Sequence, residues 1–189
     1  TPALRLEEDA VGGERDDYLV CLAQDRETMG AACFDLAGGE LRAASYDSEA
    51  ALLAELLRLD PAEVVLPTRG FESLEEQLRS LQLRAVFFRQ DVEVGDAFDA
   101  LPEGEAKALP DAPAARAAAG RAIAYARRHQ PAVLVQRVGV IDGASRLMLD
   151  EAAVRNLELV RTLSGERKGS LLACVDATKT AMGARLLRR

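Results

Sequence analysis

Three acidic side chains sit where phosphodiester chemistry could be done. Asp25 follows the apolar run Tyr18–Gln24, Asp35 lies near the end of Met29–Leu36, and Glu63 opens Glu63–Leu66. Carboxylates that face inward from neighbouring strands can hold two metal ions about 4 Å apart and cut a phosphodiester between them. The first strand of such a site should itself carry an acid, and YLVCLAQ carries none. The plainer reading makes the three a turn residue, a cap and an edge residue. A metal-dependent nuclease is therefore kept as the alternative function.

Other chemistry has less to build on. Cys21, Cys33 and Cys174 form no CxxC pair, and with the single histidine, His129, they do not make a zinc set. Cys21 and Cys33 read as small core residues of apolar strands. His129 ends a helical stretch, where a protonated ring suits the helix dipole. The run Gly165–Ser170 (GERKGS) lacks the glycine spacing and the preceding strand of a phosphate cradle, and reads as a turn between helices. No G-x-x-x-x-G-K-[ST] loop is present. Lys179, between two threonines, reads as a solvated surface lysine.

The charge is uneven. The 189 residues carry 24 basic and 31 acidic groups, a net charge of −7. Residues 1–149 hold 16 basic and 26 acidic groups (−10); residues 150–189 hold 8 and 5 (+3). Duplex affinity comes largely from neutralising phosphates, so the first portion is a poor DNA binder alone. Trp is absent and aromatics are 4% of the chain, which disfavours a base-stacking platform. Reduced cysteines fit the cytosol. No signal peptide opens the sequence, and no apolar run reaches the ~18 residues that span a bilayer.

The elements that would position these side chains can be read in order. Residues 1–17 are polar and acidic, a leading segment with one short extended piece at Ala3–Leu6. Tyr18–Gln24, Met29–Leu36 and Glu40–Tyr46 read as three strands, joined by turns at Asp25-Arg26-Glu27 and Ala37-Gly38-Gly39. A helix capped by Ser48 follows, with Ala51, Leu52, Leu56 and Leu59 inward, and Asp60-Pro61 ends it. Glu63–Leu66 is a short buried strand, Ser73–Leu81 a helix with Leu74, Leu78 and Leu81 inward, and Ala85–Phe88 a fifth strand. The order βββαβαβ is that of an α/β, ribonuclease H-like fold: an antiparallel meander extended by parallel strands, with helices on the faces. Residues 89–113 read as a loop with a turn or two of helix at Val94–Leu101, broken by Pro102, Gly104, Pro110 and Pro113. Ala114–His129 is a helix with Ala118, Ile123, Tyr125 and Ala126 inward, and Val133–Ile141 is extended before the Asp142-Gly143 turn.

The last forty residues read as helical. Asp150 is an N-cap, and Leu149, Ala153, Leu157, Val160 and Leu163 make one apolar stripe with Asn156 at its edge, stopped by Ser164-Gly165. A short piece covers Ser170–Val175. A third helix starts at Thr180 and is still running at Arg189, with Met182, Leu186 and Leu187 inward, so the chain reads as cut inside a helix.

This stretch resembles the lever, or core, domain of the MutS family of DNA mismatch-recognition proteins. The resemblance is carried by LDEAAVRNLEL (Leu149–Leu159), GSLL (Gly169–Leu172) and D-x-T-x-T-x-M-G-x-R-L-L-x-R (Asp176–Arg189). Its motif residues are Asp150, Asn156, Leu157, Gly169, Leu171, Asp176, Thr178, Thr180, Met182, Gly183, Arg185, Leu186 and Leu187. Family members normally carry Ala-Thr where this chain has Ala153-Val154. The preceding portion is similar to the family's connector domain through MGAACFDLAGGEL, DPAEVVLP and AAAGRAIAYARRHQ, with a shorter and more Pro-rich 89–113. The chain then divides into a leading segment (1–17), a connector domain (18–143) and the N-terminal part of an all-α lever (144–189).

The resemblance implies a bacterial, cytoplasmic, nucleoid-associated protein that is a homodimeric ATPase. It implies a whole protein that uses ATP and magnesium, kinks mismatched duplex DNA and recruits MutL. The mismatch reader is expected to lie just before Thr1, and the ATP site lies outside these residues too. The fragment is expected to have no catalytic, cofactor or metal residues, and to couple the DNA and nucleotide sites while offering a surface to MutL. A third reading is an interaction domain of a MutS relative outside mismatch repair.

Overall fold

The computed structural model describes residues 18–80, 85–141, 156–159, 161–180, 183–184 and 187. The described residues fall into two compact units, 18–141 and 156–187. The first is built on a six-stranded sheet of order β5-β4-β1-β2-β3-β6. Strands β1 (Tyr18–Asp25), β2 (Thr28–Asp35) and β3 (Glu40–Tyr46) form the antiparallel meander read from the sequence. Strand β4 (Glu63–Leu66) pairs parallel with β1, and β5 (Val86–Arg89) parallel with β4.

The two tight turns have local causes. Arg26 takes a positive φ of 55° in the β1–β2 hairpin. In the next turn the Asp35 carboxylate accepts the N–H groups of Ala37 and Gly38 at 3.1 and 3.0 Å, and Gly39 takes φ 65°. Helix α1 (Glu49–Leu59) is capped by Ser48, whose Oγ accepts from the Ala51 N–H at 3.3 Å. It ends on Asp60 in the left-handed region, followed by Pro61.

Helices cover both faces, so β1 is apolar on both sides. Tyr18, Val20 and Leu22 pack with Leu52, Leu56 and Leu59 of α1 and with Leu74 and Leu78 of α2 (Glu72–Ser80). Leu19, Cys21 and Ala23 pack with Ala118, Ala122 and Ile123 of α3 (Pro113–His129). The face of α1 differs from expectation at one position: Ala51 is exposed, and the buried stripe is Leu52, Glu55, Leu56 and Leu59. Ala51 lies one position off the i, i+3, i+4, i+7 row that this stripe follows. Leu81 and the leading segment 1–17 lie outside the described residues.

Two further readings are corrected. Only Arg137–Val140 of the expected extended stretch Val133–Ile141 is a strand, β6, parallel to β3. Strand β3 begins at Glu40, opposite Arg137, so the residues before Arg137 have no strand to pair with. Residues 89–113 are not plain loop, and Val94–Leu101 holds a single 3-10 turn at Ala97–Ala100, with a second at Glu105–Ala108. The segment lies on α3 as a strap. Ala97 and Leu109 are buried, and the Arg116 guanidinium stands 5.7 Å from the Phe98 ring centroid. The Glu105 carboxylate accepts the Val138 N–H of edge strand β6 at 2.7 Å. Helix α3 is therefore buried on two sides. A Cβ at Gly120 would meet Val94 Cγ1 at 2.4 Å on the strap side.

The sheet side is tighter. A Cβ on Gly30 of β2 would lie 2.0 Å from the Ala114 carbonyl oxygen, which is backbone and cannot turn away. Among the described residues no helix is long and apolar enough to cross a membrane. Gly30→Ala should cost about 2–3 kcal/mol by overpacking, read as a lower denaturant midpoint. Gly139→Ala, whose Cβ would meet Arg42 Cγ at an ordinary 3.7 Å, should move it little.

Candidate functional site

The three carboxylates are not brought together. Asp25 pairs with Thr28 at one end of the β1–β2 ladder and Asp35 with Tyr18 at the other. Seven residues of strand separate those ends, about 24 Å at ~3.4 Å per residue. Asp25 is exposed at the hairpin, and Asp35 is occupied by the next turn. Glu63 pairs with Leu19 and accepts a hydrogen bond from the Tyr125 hydroxyl of α3. That places it on the α3 face, whereas Asp35 is in register with Tyr18, which packs on the α1–α2 face. Among the described residues no group of three or more His, Cys, Asp or Glu could hold a metal ion.

What the fold does gather is a buried polar set under α3. Glu63 is 0% exposed and Tyr125 1%. Arg121, one helical turn before Tyr125, is also buried and donates from Nη2 to the Gln90 carbonyl at 2.7 Å. Cys21 lies within reach of both charges, and burial pushes its thiol well above the ordinary range. Burial and then the bond to Glu63 likewise push the Tyr125 hydroxyl up, so it stays a proton donor. A nucleophile needs the opposite shift, so Cys21 is a core thiol. His129 is exposed, with its ring 4.5 Å from the Tyr125 ring. Arg121 was not singled out in the sequence. Its signal was an arginine four residues before a tyrosine in a helix otherwise lined with alanine.

In the second unit the motif residues Asp150, Met182, Arg185 and Leu186 lie outside the described residues, as do Leu149, Ala153, Val154 and Val160. The expected helix does not continue to Leu163. Asn156 is its last described helical residue, the chain turns at Leu157 and Glu158, and Glu158 takes φ 49°. Leu157 and Leu163 are exposed, not part of an inward stripe. The reason lies in α4 (Leu171–Val175), whose first N–H groups need acceptors. Leu171 N–H donates to the Glu158 carbonyl at 3.0 Å and Leu172 N–H to that of Leu159 at 2.9 Å. Ser170 caps the same end, its Oγ accepting from Ala173 at 3.2 Å. The run Gly165–Ser170 is a turn, with Gly165 and Gly169 at φ 84° and 99°.

Asp176 ends α4 and uses both carboxylate oxygens. Oδ1 accepts from the Thr178 N–H at 3.0 Å and its hydroxyl at 2.6 Å; Oδ2 accepts from Arg167 at 2.6 Å. Thr180 then caps the next helical piece, accepting the Gly183 N–H at 3.0 Å. Leu171, Lys179 and Leu187 are exposed, so Leu187 does not occupy the inward position expected of it.

The family model described as MutS domain II matches residues 17–137, and that of MutS domain III matches residues 152–189. The chain belongs to the MutS family. It is 36% identical over 209 residues to the DNA mismatch repair protein MutS of Sorangium cellulosum and 36% over 199 residues to that of Synechococcus sp. (strain RCC307). Identity to the MutS of Roseiflexus castenholzii is 30% over 238 residues. All of this chain is covered in each case, and it spans about 22% of the length of these curated relatives. The two MutS matches fall on the two compact units, one to each.

Two measurements check this geometry. Tyr125→Phe removes a buried hydrogen bond to a carboxylate with no access to water, and should cost about 2–3 kcal/mol; an unchanged denaturant midpoint would contradict the pairing. The Thr178 donors, and then Arg167, hold Asp176 below its ordinary value of 3.8. A carboxyl depressed in the folded state contributes above its unfolded value and loses that as pH falls through the folded one. The 176–178 turn should thus be intact at neutral pH and loosen below pH 3.8, followed by the Thr178 amide resonance.

Proposed function

We propose that this chain is the coupling and docking part of a MutS-type mismatch repair protein. Its first unit serves as a connector on a ribonuclease H-like framework, and its second as the root of the helical lever. The carrying observation is that the matches to MutS domains II and III follow one another along one chain, 17–137 and 152–189. The strand order, with an antiparallel meander on one side of β1 and parallel strands on the other, supports the framework. The whole protein acts as a homodimer that uses ATP and magnesium and kinks mismatched duplex DNA through parts outside these residues. It works in the bacterial cytoplasm, at the nucleoid.

Coupling needs a two-state element that both sites bias, and rigid parts that pass its displacement on. The first unit suits the rigid role, because α3 is held by the sheet on one side and the strap on the other. The reading of a non-catalytic unit is supported by where the acids lie: Asp25 exposed at a hairpin, Asp35 in the next turn and Glu63 buried against Tyr125.

MutL is the partner that this unit engages. Immobilised chain should bind purified MutL reversibly, with a dissociation constant on the order of micromolar, as for transient interfaces. Absence of association with the chain, and with the longer protein carrying it in every nucleotide state, would leave the reading of an interaction domain outside mismatch repair.

A further inference from the structure

In the second unit one carboxylate, that of Asp176, is bonded both to the loop before α4 and to the turn after it. We infer that residues 158–159 and 161–178 form a clasped elbow, in which the Arg167–Asp176 ion pair fixes the direction in which the chain leaves α4 toward Thr180. Two sets of contacts make the elbow. At the start of α4, Leu171 and Leu172 donate to the carbonyls of Glu158 and Leu159, which binds the short helix to the turn before it. At its end, Asp176 Oδ2 takes Arg167 from the loop while Oδ1 takes the N–H and hydroxyl of Thr178. One side chain therefore joins the loop, the helix end and the exit turn.

The loop has its own stiffening. Thr162 N–H donates to the Glu166 carbonyl at 2.8 Å, and the Glu158 carboxylate accepts the Leu163 N–H at 2.7 Å. Five residues of helix cannot hold a direction alone. The clasp supplies what length does not. It is also releasable: Arg167 is 39% exposed, within reach of salt or a competing anion, while Asp176 is 13% exposed. With Arg167 withdrawn, Asp176 loses its tie to the loop, and the exit turn that it holds through Thr178 opens more often. For its use as the turning point of a lever the elbow rests on the coupling reading above; its existence does not.

Amide hydrogen exchange on the 189-residue chain tests it. Arg167→Ala should speed exchange at Leu171, Leu172 and Thr178 about fivefold, within the range of a partly exposed ion pair. Arg167→Lys should recover part of the protection, and the amides of β1–β3 should be unchanged. High salt should mimic Arg167→Ala in the parent chain and add nothing in the variant. Unaltered rates at the three amides in Arg167→Ala overturn the elbow. So does equal acceleration in β1–β3, which would make the pair a general stabiliser. Because MutL and nucleotide are absent, either result leaves the coupling reading to its own test.

Discussion

The packing of the first unit depends on how closely α3 lies on β2. Gly30 leaves no room for a methyl group beneath the Ala114 carbonyl, and the helix face that follows is almost entirely alanine. Small side chains let helix and sheet approach, which removes water from both. They give little lateral grip, because a smooth alanine surface packs nearly as well one step along. The polar set supplies the grip. Tyr125 reaches Glu63 on β4, and Arg121 reaches the Gln90 carbonyl just after β5. Neither bond survives a one-residue slide. Buried charge is weak evidence for stability and better evidence for a fixed register; here it sets the register of a helix that packs across β1, β2 and β3.

The strap follows from the same constraint. With the sheet on one side, α3 still presents Gly120 and neighbouring alanines outward, and Val94 and Phe98 close over them. From Asp91 to Glu105 the sequence holds six acidic residues and no basic one, so like charge opposes its compaction. What holds it is apolar anchoring, the Arg116–Phe98 contact and two carboxylates: Asp91, which accepts the N–H and hydroxyl of Thr68, and Glu105, which accepts the Val138 N–H. The rest of the charge stays in water, where repulsion is screened.

These details decide what could be read beforehand. The meander, the Ser48 cap, the Asp60-Pro61 stop and the parallel β4 are written in local sequence: turn residues, a cap and short apolar runs. Such signals act within a few residues of themselves. The strap is not local. Its prolines and glycine advertise irregular chain, while its packing depends on α3 being small enough to receive it. Ala51 failed because an alanine fits either side of a helix. The end of the helix before α4 failed for a related reason. The stripe Leu157, Val160, Leu163 has helical spacing, but the carbonyls of Glu158 and Leu159 are claimed by α4, thirteen residues on. Among the motif residues, Thr180 caps as its type and place suggest, whereas Asp176 and Thr178, marked only by the family resemblance, meet in a short turn. Arg167, the partner that closes the loop, carries no pattern at all.

The fate of the carboxylates bears on what this chain can do. A strand order that places parallel strands beside a meander could array acids along β1 and its neighbours. Here β1 carries Cys21 in its buried middle, with its thiol held protonated by burial. The acids have moved outward to turns or inward to a tyrosine. Asp35 Oδ1 accepts two backbone N–H groups, which places its carboxylate at the turn after β2 and not beside Glu63. Glu63 gives one carboxylate oxygen to the Tyr125 hydroxyl, the bond that ties α3 to β4. Asp35 and Glu63 thus serve a turn and the packing of α3, while Asp25 stands exposed at the hairpin, so the three carboxylates do not make one site.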